Sequence, residues 1–172
     1  MQFAADKYNR GIEMDHRPVR KKNRLENYDY SQPGYYFVTV CTEDRKLLLG
    51  TVTKSDAAHS SEVHLSHAGV VTSEAIQTIS NIYQNITVEK YVIMPNHFHM
   101  ILSFHESEQP LPDLSRVVQQ TKRRVSKILG MSIWQSHYFD RVIRGEADYR
   151  AVWEYIDNNP TKWSLDKYYN EG

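Results

Sequence analysis

The chain has 172 residues with 21 basic and 21 acidic side chains, so its formal net charge is zero and bulk charge alone indicates no polyanionic partner. A hydrophobic fraction of 40% and a charged fraction of 24% suit a single globular domain able to bury its own core. The lone cysteine, Cys41, excludes an intrachain disulfide framework, and no apolar run is long enough to span a membrane. The opening MQFAADKYNR lacks the apolar centre of a signal peptide, so the expected location is cytoplasmic.

Residues 1–27 are polar and aperiodic and carry Arg17, Arg20, Lys21, Lys22 and Arg24. They are expected to form a basic flexible arm, with one folded domain over 28–172. Gly34 to Thr42 is β-branched and aromatic and reads as a strand. Leu47 to Thr53 and Glu62 to Leu65 read as a pair of short strands joined by a loop. Ala68 to Tyr83 reads as one helix, with Val71, Ala75, Ile79 and Ile82 at helical spacing.

Ile86 to Tyr91 is a strand candidate, and Tyr91 to Phe104 carries the strongest strand signal, interrupted by Pro95-Asn96. The proline predicts a strand start, an edge or a bulge at that point. Asp113 is placed to cap a helix from Leu114 to about Leu129, and Gly130 to end it. Ile133-Trp134 and Tyr138 to Ile143 read as extended pieces, and Glu146 to Asn159 as a last helix stopped by Pro160. Interleaved strands and helices predict an α+β fold, an antiparallel sheet with packed helices of ferredoxin-like character.

Three features bear on chemistry. His97 and His99 alternate with Phe98 on a strand and so share one face, where two imidazoles can grip one metal ion. Taken alone, such a pair is more often two surface histidines. Tyr155 and Asn159 stand one helical turn apart, a phenol able to attack phosphorus beside an amide able to ligate a hard ion. Taken alone, this spacing is usually core or surface packing. Arg116, Lys122, Arg123, Arg124 and Lys127 concentrate in the second predicted helix, followed by Arg141, Arg144 and Arg150. With the basic arm they offer a phosphate-binding track, or equally a solvated helix face.

In combination these blocks resemble a known family. Tyr91-Val-Ile-Met-Pro-Asn-His-Phe-His-Met-Ile-Leu102 resembles the metal-binding strand of the single-tyrosine, His-hydrophobic-His (HUH) transposases, and more narrowly of the REP-associated tyrosine transposases. Ile133 to Arg144, the stretch Trp153-Glu-Tyr-Ile-Asp-Asn-Asn-Pro160 and an N-terminal block from Arg24 to Thr42 match in order and spacing, so the resemblance covers roughly residues 20–163. It implies an HUH nuclease architecture with His97, His99 and Asn159 as metal ligands, Mg²⁺ or Mn²⁺ as the ion, and Tyr155 as the nucleophile. Cleavage of single-stranded or hairpin DNA would pass through a 5′-phosphotyrosine, with Arg17, Arg20, Lys21, Lys22, Arg24, Arg116, Lys122, Arg123, Arg124, Lys127 and Arg144 as DNA contacts. Arg141 stands where the family more often carries histidine. Tyr35, Tyr36, Trp134 and Phe139 are candidates to stack on unpaired bases. Two other readings stay open, a hairpin DNA-binding protein that no longer transposes and a ferredoxin-like RNA-binding module. Either a homodimer or a monomer is compatible with the sequence.

Overall fold

The computed structural model describes residues 27–54 and 61–169. Its main sheet has four antiparallel strands, β1 (Gly34–Cys41), β4 (Ile86–Met94), β5 (His97–Phe104) and β6 (Phe139–Ile143), in the order β4-β5-β1-β6. A hairpin of β2 (Gly50–Lys54) and β3 (Ser61–Leu65) stands apart from it. Helices α1 (His67–Gln77) and α2 (Ile79–Ile82) separate the first two strands of the main sheet, and α3 (Leu114–Leu129) joins the last two. The result is a βαββαβ unit with the ferredoxin-like strand order, to which α4 (Gly145–Asn158) is added. The expected α+β architecture is the observed one.

Side-chain alternation divides the sheet into two chemically different faces. Tyr36, Val38 and Val40 of β1 and Phe98, Met100 and Leu102 of β5 join Val71, Ala75, Ile76, Val117 and Val118 of α1 and α3 in the main core. Each fully buried side chain of this kind contributes about 1.5–3 kcal/mol. On the other face Ile101 and Ile143 pack with Val152 and Ile156 of α4, flanked by Phe37, Val92, Tyr149 and Trp153. The sheet therefore lies between α1–α3 on one side and α4 on the other.

Local sequence explains most boundaries. The Asp113 carboxylate accepts from the Ser115 amide at 2.7 Å and starts α3, and Gly130 ends it at φ 72°, a left-handed conformation that suits glycine. The helix expected over Ala68 to Tyr83 is interrupted at Thr78, whose hydroxyl donates to the Ala75 carbonyl at 2.8 Å. That local bond competes with helix continuation; beyond it Ile79 is buried and Ile82 exposed. Pro95-Asn96 is neither a strand start, an edge nor a bulge. It is the two-residue turn between β4 and β5, with Met94 opposite His97, where proline's missing amide interrupts no ladder bond. The first short strand begins at Gly50 rather than Leu47, because the Leu49 amide is drawn to the Pro95 carbonyl at 2.8 Å. Residues 55–60, most of the loop expected between β2 and β3, and the basic arm except Asn27 lie outside the described residues. Among the described residues, no helix is long and apolar enough to cross a membrane.

Candidate metal and tyrosine site

The position of β5 decides the environment of the two histidines. It is paired on both sides, with Thr39 and Val92 flanking His99 in register, and α4 covers that face. His97 and His99 are consequently buried, which removes the reading of them as surface residues. Burial holds the His97 imidazole down to about 4, partly opposed by the Asp166 carboxylate. Burial, then the neighbouring His97 and Lys167, hold His99 well below the ordinary histidine value. Both rings are neutral near pH 7, the form that binds metals.

Each ring is oriented by an oxygen on its far side. His97 Nδ1 is 2.8 Å from Asn96 Oδ1. The Asn96 amide nitrogen already donates to the Arg45 and Tyr168 carbonyls, at 3.2 and 2.7 Å, so its oxygen is the acceptor and His97 Nδ1 carries the proton. His99 Nδ1 is 2.7 Å from Thr39 Oγ1, a hydroxyl able to accept in the same way. With Thr39 accepting from His99 Nδ1, both Nε2 lone pairs are free, and the two Nε2 atoms face each other 3.0 Å apart. Two lone pairs so placed repel unless a cation lies between them.

The helix α4 and the segment after it supply the rest. Tyr155 Oη is 3.4 Å from His99 Nε2 and 3.3 Å from Asp166 Oδ2. Phe37 meets the Tyr155 ring edge-on at 6.0 Å and stacks on His99 at 5.2 Å between centroids. Asn159 caps the helix, and its amide nitrogen donates to Asp166 Oδ2 at 3.0 Å. Its Oδ1 is buried and has no hydrogen-bond partner. A buried orphan acceptor beside two imidazole lone pairs is a donor set that fits a divalent cation. Burial first, then the charge of Asp166, push the Tyr155 phenol up to about 12.

The four residues singled out in the sequence thus stand in one place, and the fold adds a fifth. His97, His99 and Asp166 present ligand atoms within 4.8 Å of one another. Among the described residues, His64, His67, His105 and His137 belong to no such group. Sequence reasoning missed Asp166 because its position depends on tertiary structure. After Pro160 the chain coils through short turns and a 3₁₀ segment, Trp163–Leu165, which returns Asp166 to Asn159. Tyr168 follows, buried, with its ring 4.6 Å from that of His97. Beside Tyr155 opens a cleft of about 500 Å³, bordered by Phe37, Arg141, Lys162, Asp166 and Lys167 among others.

The expected DNA contacts are not all near this cleft. Arg116, Arg123, Arg124 and Lys127 are exposed on α3, across the sheet from the histidines. Lys122 Nζ donates to the Gln135 and Ser136 carbonyls, at 2.6 and 3.3 Å, and ties α3 to the following loop. Arg144 is exposed at the start of α4. Arg17, Arg20, Lys21, Lys22 and Arg24 lie outside the described residues. Of the stacking candidates, Tyr36 and Trp134 are buried, Phe139 is half-buried and Tyr35 is exposed. Arg141, at the cleft, pairs with Asp148 at 2.5 Å.

No family model matches the chain. An uncharacterized protein of Haemophilus influenzae is 27% identical over 186 residues, covering 95% of this chain and 97% of that protein. The REP-associated tyrosine transposase of Escherichia coli K12 is 30% identical over 76 residues, and the match spans 44% of this chain and 44% of that protein. A solved REP-associated tyrosine transposase bound to a REP hairpin superposes with a TM-score of 0.62 at 23% identity, over 84% of this chain and 76% of the other. The chain therefore shares the fold of that transposase and resembles such transposases in part of its sequence.

Proposed function

We propose that this relative of the REP-associated tyrosine transposases is a metal-dependent single-strand DNA transposase, cutting and rejoining hairpin-flanked DNA with Tyr155. The observation that carries the reading is the convergence of a half-exposed phenol on two buried, neutral imidazoles: Tyr155 Oη lies 3.4 Å from His99 Nε2 at the wall of an open cleft. The likeness to a transposase bound to a REP hairpin supports hairpin DNA as the partner.

His97 and His99 would hold the divalent cation, Mg²⁺ or Mn²⁺, with Asp166 and the Asn159 Oδ1 atom as further oxygen donors. When bound, such an ion supplies Lewis-acid charge to the nonbridging oxygens of the scissile phosphate. Asn96 and Thr39 fix the imidazole tautomers that make this possible. Tyr155 Oη forms the new bond to phosphorus, the bond from phosphorus to the 3′ oxygen breaks, and that oxygen leaves as a hydroxyl after taking a proton. The chain is left carrying a 5′-phosphotyrosine. The phenol must lose its proton in that step, and the Asp166 carboxylate, 3.3 Å away, is the anionic group in reach of it. Rejoining reverses the attack with another 3′-hydroxyl and needs no external energy source.

The test is a cleavage assay on single-stranded hairpin DNA from the flanks of the gene, with Mg²⁺ or Mn²⁺. A denaturation-resistant protein–DNA adduct that requires metal and is absent with Tyr155→Phe is the expected result. Tight hairpin binding without any adduct would identify a DNA-binding protein that no longer transposes. An RNA-binding module needs aromatic side chains displayed on an open sheet face. Here α4 covers one face and α1 to α3 the other.

A further inference from the structure

The sheet sorts the cations of this chain into two sets. Those of α3 stand on one side, and Arg141, Lys162 and Lys167 border the cleft on the other. Within the second set Arg141 is already paired with Asp148. Lys162 and Lys167 are exposed and make no ion pair among the described residues.

Lys167 is held where it stands. Its carbonyl accepts from Arg45 Nη1 at 3.3 Å, and its ammonium lies 4.8 Å from the centroid of the buried Tyr168 ring. The Arg45 guanidinium is 5.2 Å from the same centroid, and that ring lies against His97. Two cations are thus anchored around an aromatic ring that touches a histidine of the metal site. Fixed positive charge beside a cation site weakens its hold on a bare ion by Coulomb repulsion. The arrangement becomes favourable when an anion enters with the metal and is shared between the ion and the lysines.

We propose that Lys162 and Lys167 are the phosphate clamp of the cleft, holding backbone phosphates of the single strand that flank the phosphorus attacked by Tyr155. The clamp rests on the reading of Tyr155 as nucleophile. It places the grip on the single strand in the segment after α4, on the opposite side of the sheet from the basic helix that the sequence alone singles out.

The experiment measures binding of a fluorescein-labelled DNA hairpin with a single-stranded flank, by anisotropy, across a series of KCl concentrations with Mg²⁺ present. The full-length chain is compared with K162Q/K167Q and K162R/K167R, each checked by thermal melting. The glutamine pair is expected to weaken binding about tenfold and to flatten the slope of log affinity against log salt by about 1.4, near 0.7 for each single-strand phosphate released. The arginine pair keeps both affinity and slope, and a blunt hairpin without the flank binds all three proteins alike. An unchanged slope in K162Q/K167Q overturns the clamp, as does an equal loss on the blunt hairpin. Adduct formation by the unsubstituted chain is read on the same DNA. A missing adduct with a lysine-dependent slope overturns the role of Tyr155 and leaves Lys162 and Lys167 as a grip on the single strand. An adduct with an unchanged slope does the reverse.

Discussion

At the scale of single residues, the candidate site is built of groups that present or orient lone pairs. His97 and His99 face each other through Nε2, and Asn96 and Thr39 hold the opposite ring nitrogens. Replacing Asn96 or Thr39 by alanine or valine should cost about 10- to 100-fold in Mn²⁺ affinity, although neither would touch the ion, and titration calorimetry measures this. Replacing both histidines by alanine should abolish Mn²⁺ binding. Asp166→Asn separates two roles for the carboxylate. If Asp166 is a ligand, Mn²⁺ affinity falls with it. If it serves Tyr155 alone, Mn²⁺ affinity holds while adduct formation slows. The imidazoles also tie stability to pH. Both are held below the ordinary histidine value of 6.5, His97 at about 4, so the unfolded chain binds more protons than the folded one between those limits. Stability of the metal-free protein should therefore be greatest above pH 6.5 and fall as pH drops toward 4. Thermal melting in chelator across that range checks the sign, and a midpoint that rises on acidification would contradict it.

At the scale of elements, the helix ends are the readable part of the chain. Asp113 and Gly130 were recognisable in the sequence as the start and stop of α3, because capping chemistry is local, and both occupy those positions. Asp113→Ala should cost about 1 kcal/mol through the lost bond to the Ser115 amide. Gly130→Ala should cost a similar amount, about 1 kcal/mol, by forcing a side chain into the left-handed region. Each would lower the melting temperature by roughly 3 °C in a chain of this length. Gly69→Ala should be far worse, because an added Cβ would lie 2.0 Å from the Leu49 carbonyl oxygen, a contact with backbone that cannot rotate away. The elements misread in the sequence failed for a common reason. Thr78 lies inside a stretch whose apolar residues keep helical spacing and Pro95-Asn96 inside the strongest strand signal, and a hydroxyl bond and a turn divide them.

At the scale of the whole molecule, the sheet is a partition. One face buries an apolar core under α1 to α3, and the other carries the histidines under α4 and the segment that follows it. Tyr155 and His99 of one chain stand 3.4 Å apart, so a single copy assembles the complete set of groups. A mixture of Tyr155→Phe with a protein lacking both histidines should accordingly form no adduct, since neither copy holds a whole site. Recovery of activity on mixing, read by gel, would show instead that the tyrosine helix is exchanged between copies. The basic face of α3 and the cleft point away from each other, so a nucleic acid that used both would have to pass around an edge of the sheet.

What the sequence determined by itself was which candidate side chains share a face and the elements that carry them. Strand alternation puts His97 and His99 on one face, helical spacing puts Tyr155 and Asn159 on another, and both patterns are set by backbone geometry over a few residues. The ferredoxin-like architecture was legible for the same reason, from the alternation of strand and helix signals. Tertiary structure alone decided that β5 is central and its histidines buried, since burial depends on which strands pair beside it. It also decided that Asp166 and Lys167 reach the site while the cations of α3 do not. Those placements follow from how the chain turns after Pro160 and from which side of the sheet each helix covers, and both are fixed by contacts between residues far apart in sequence.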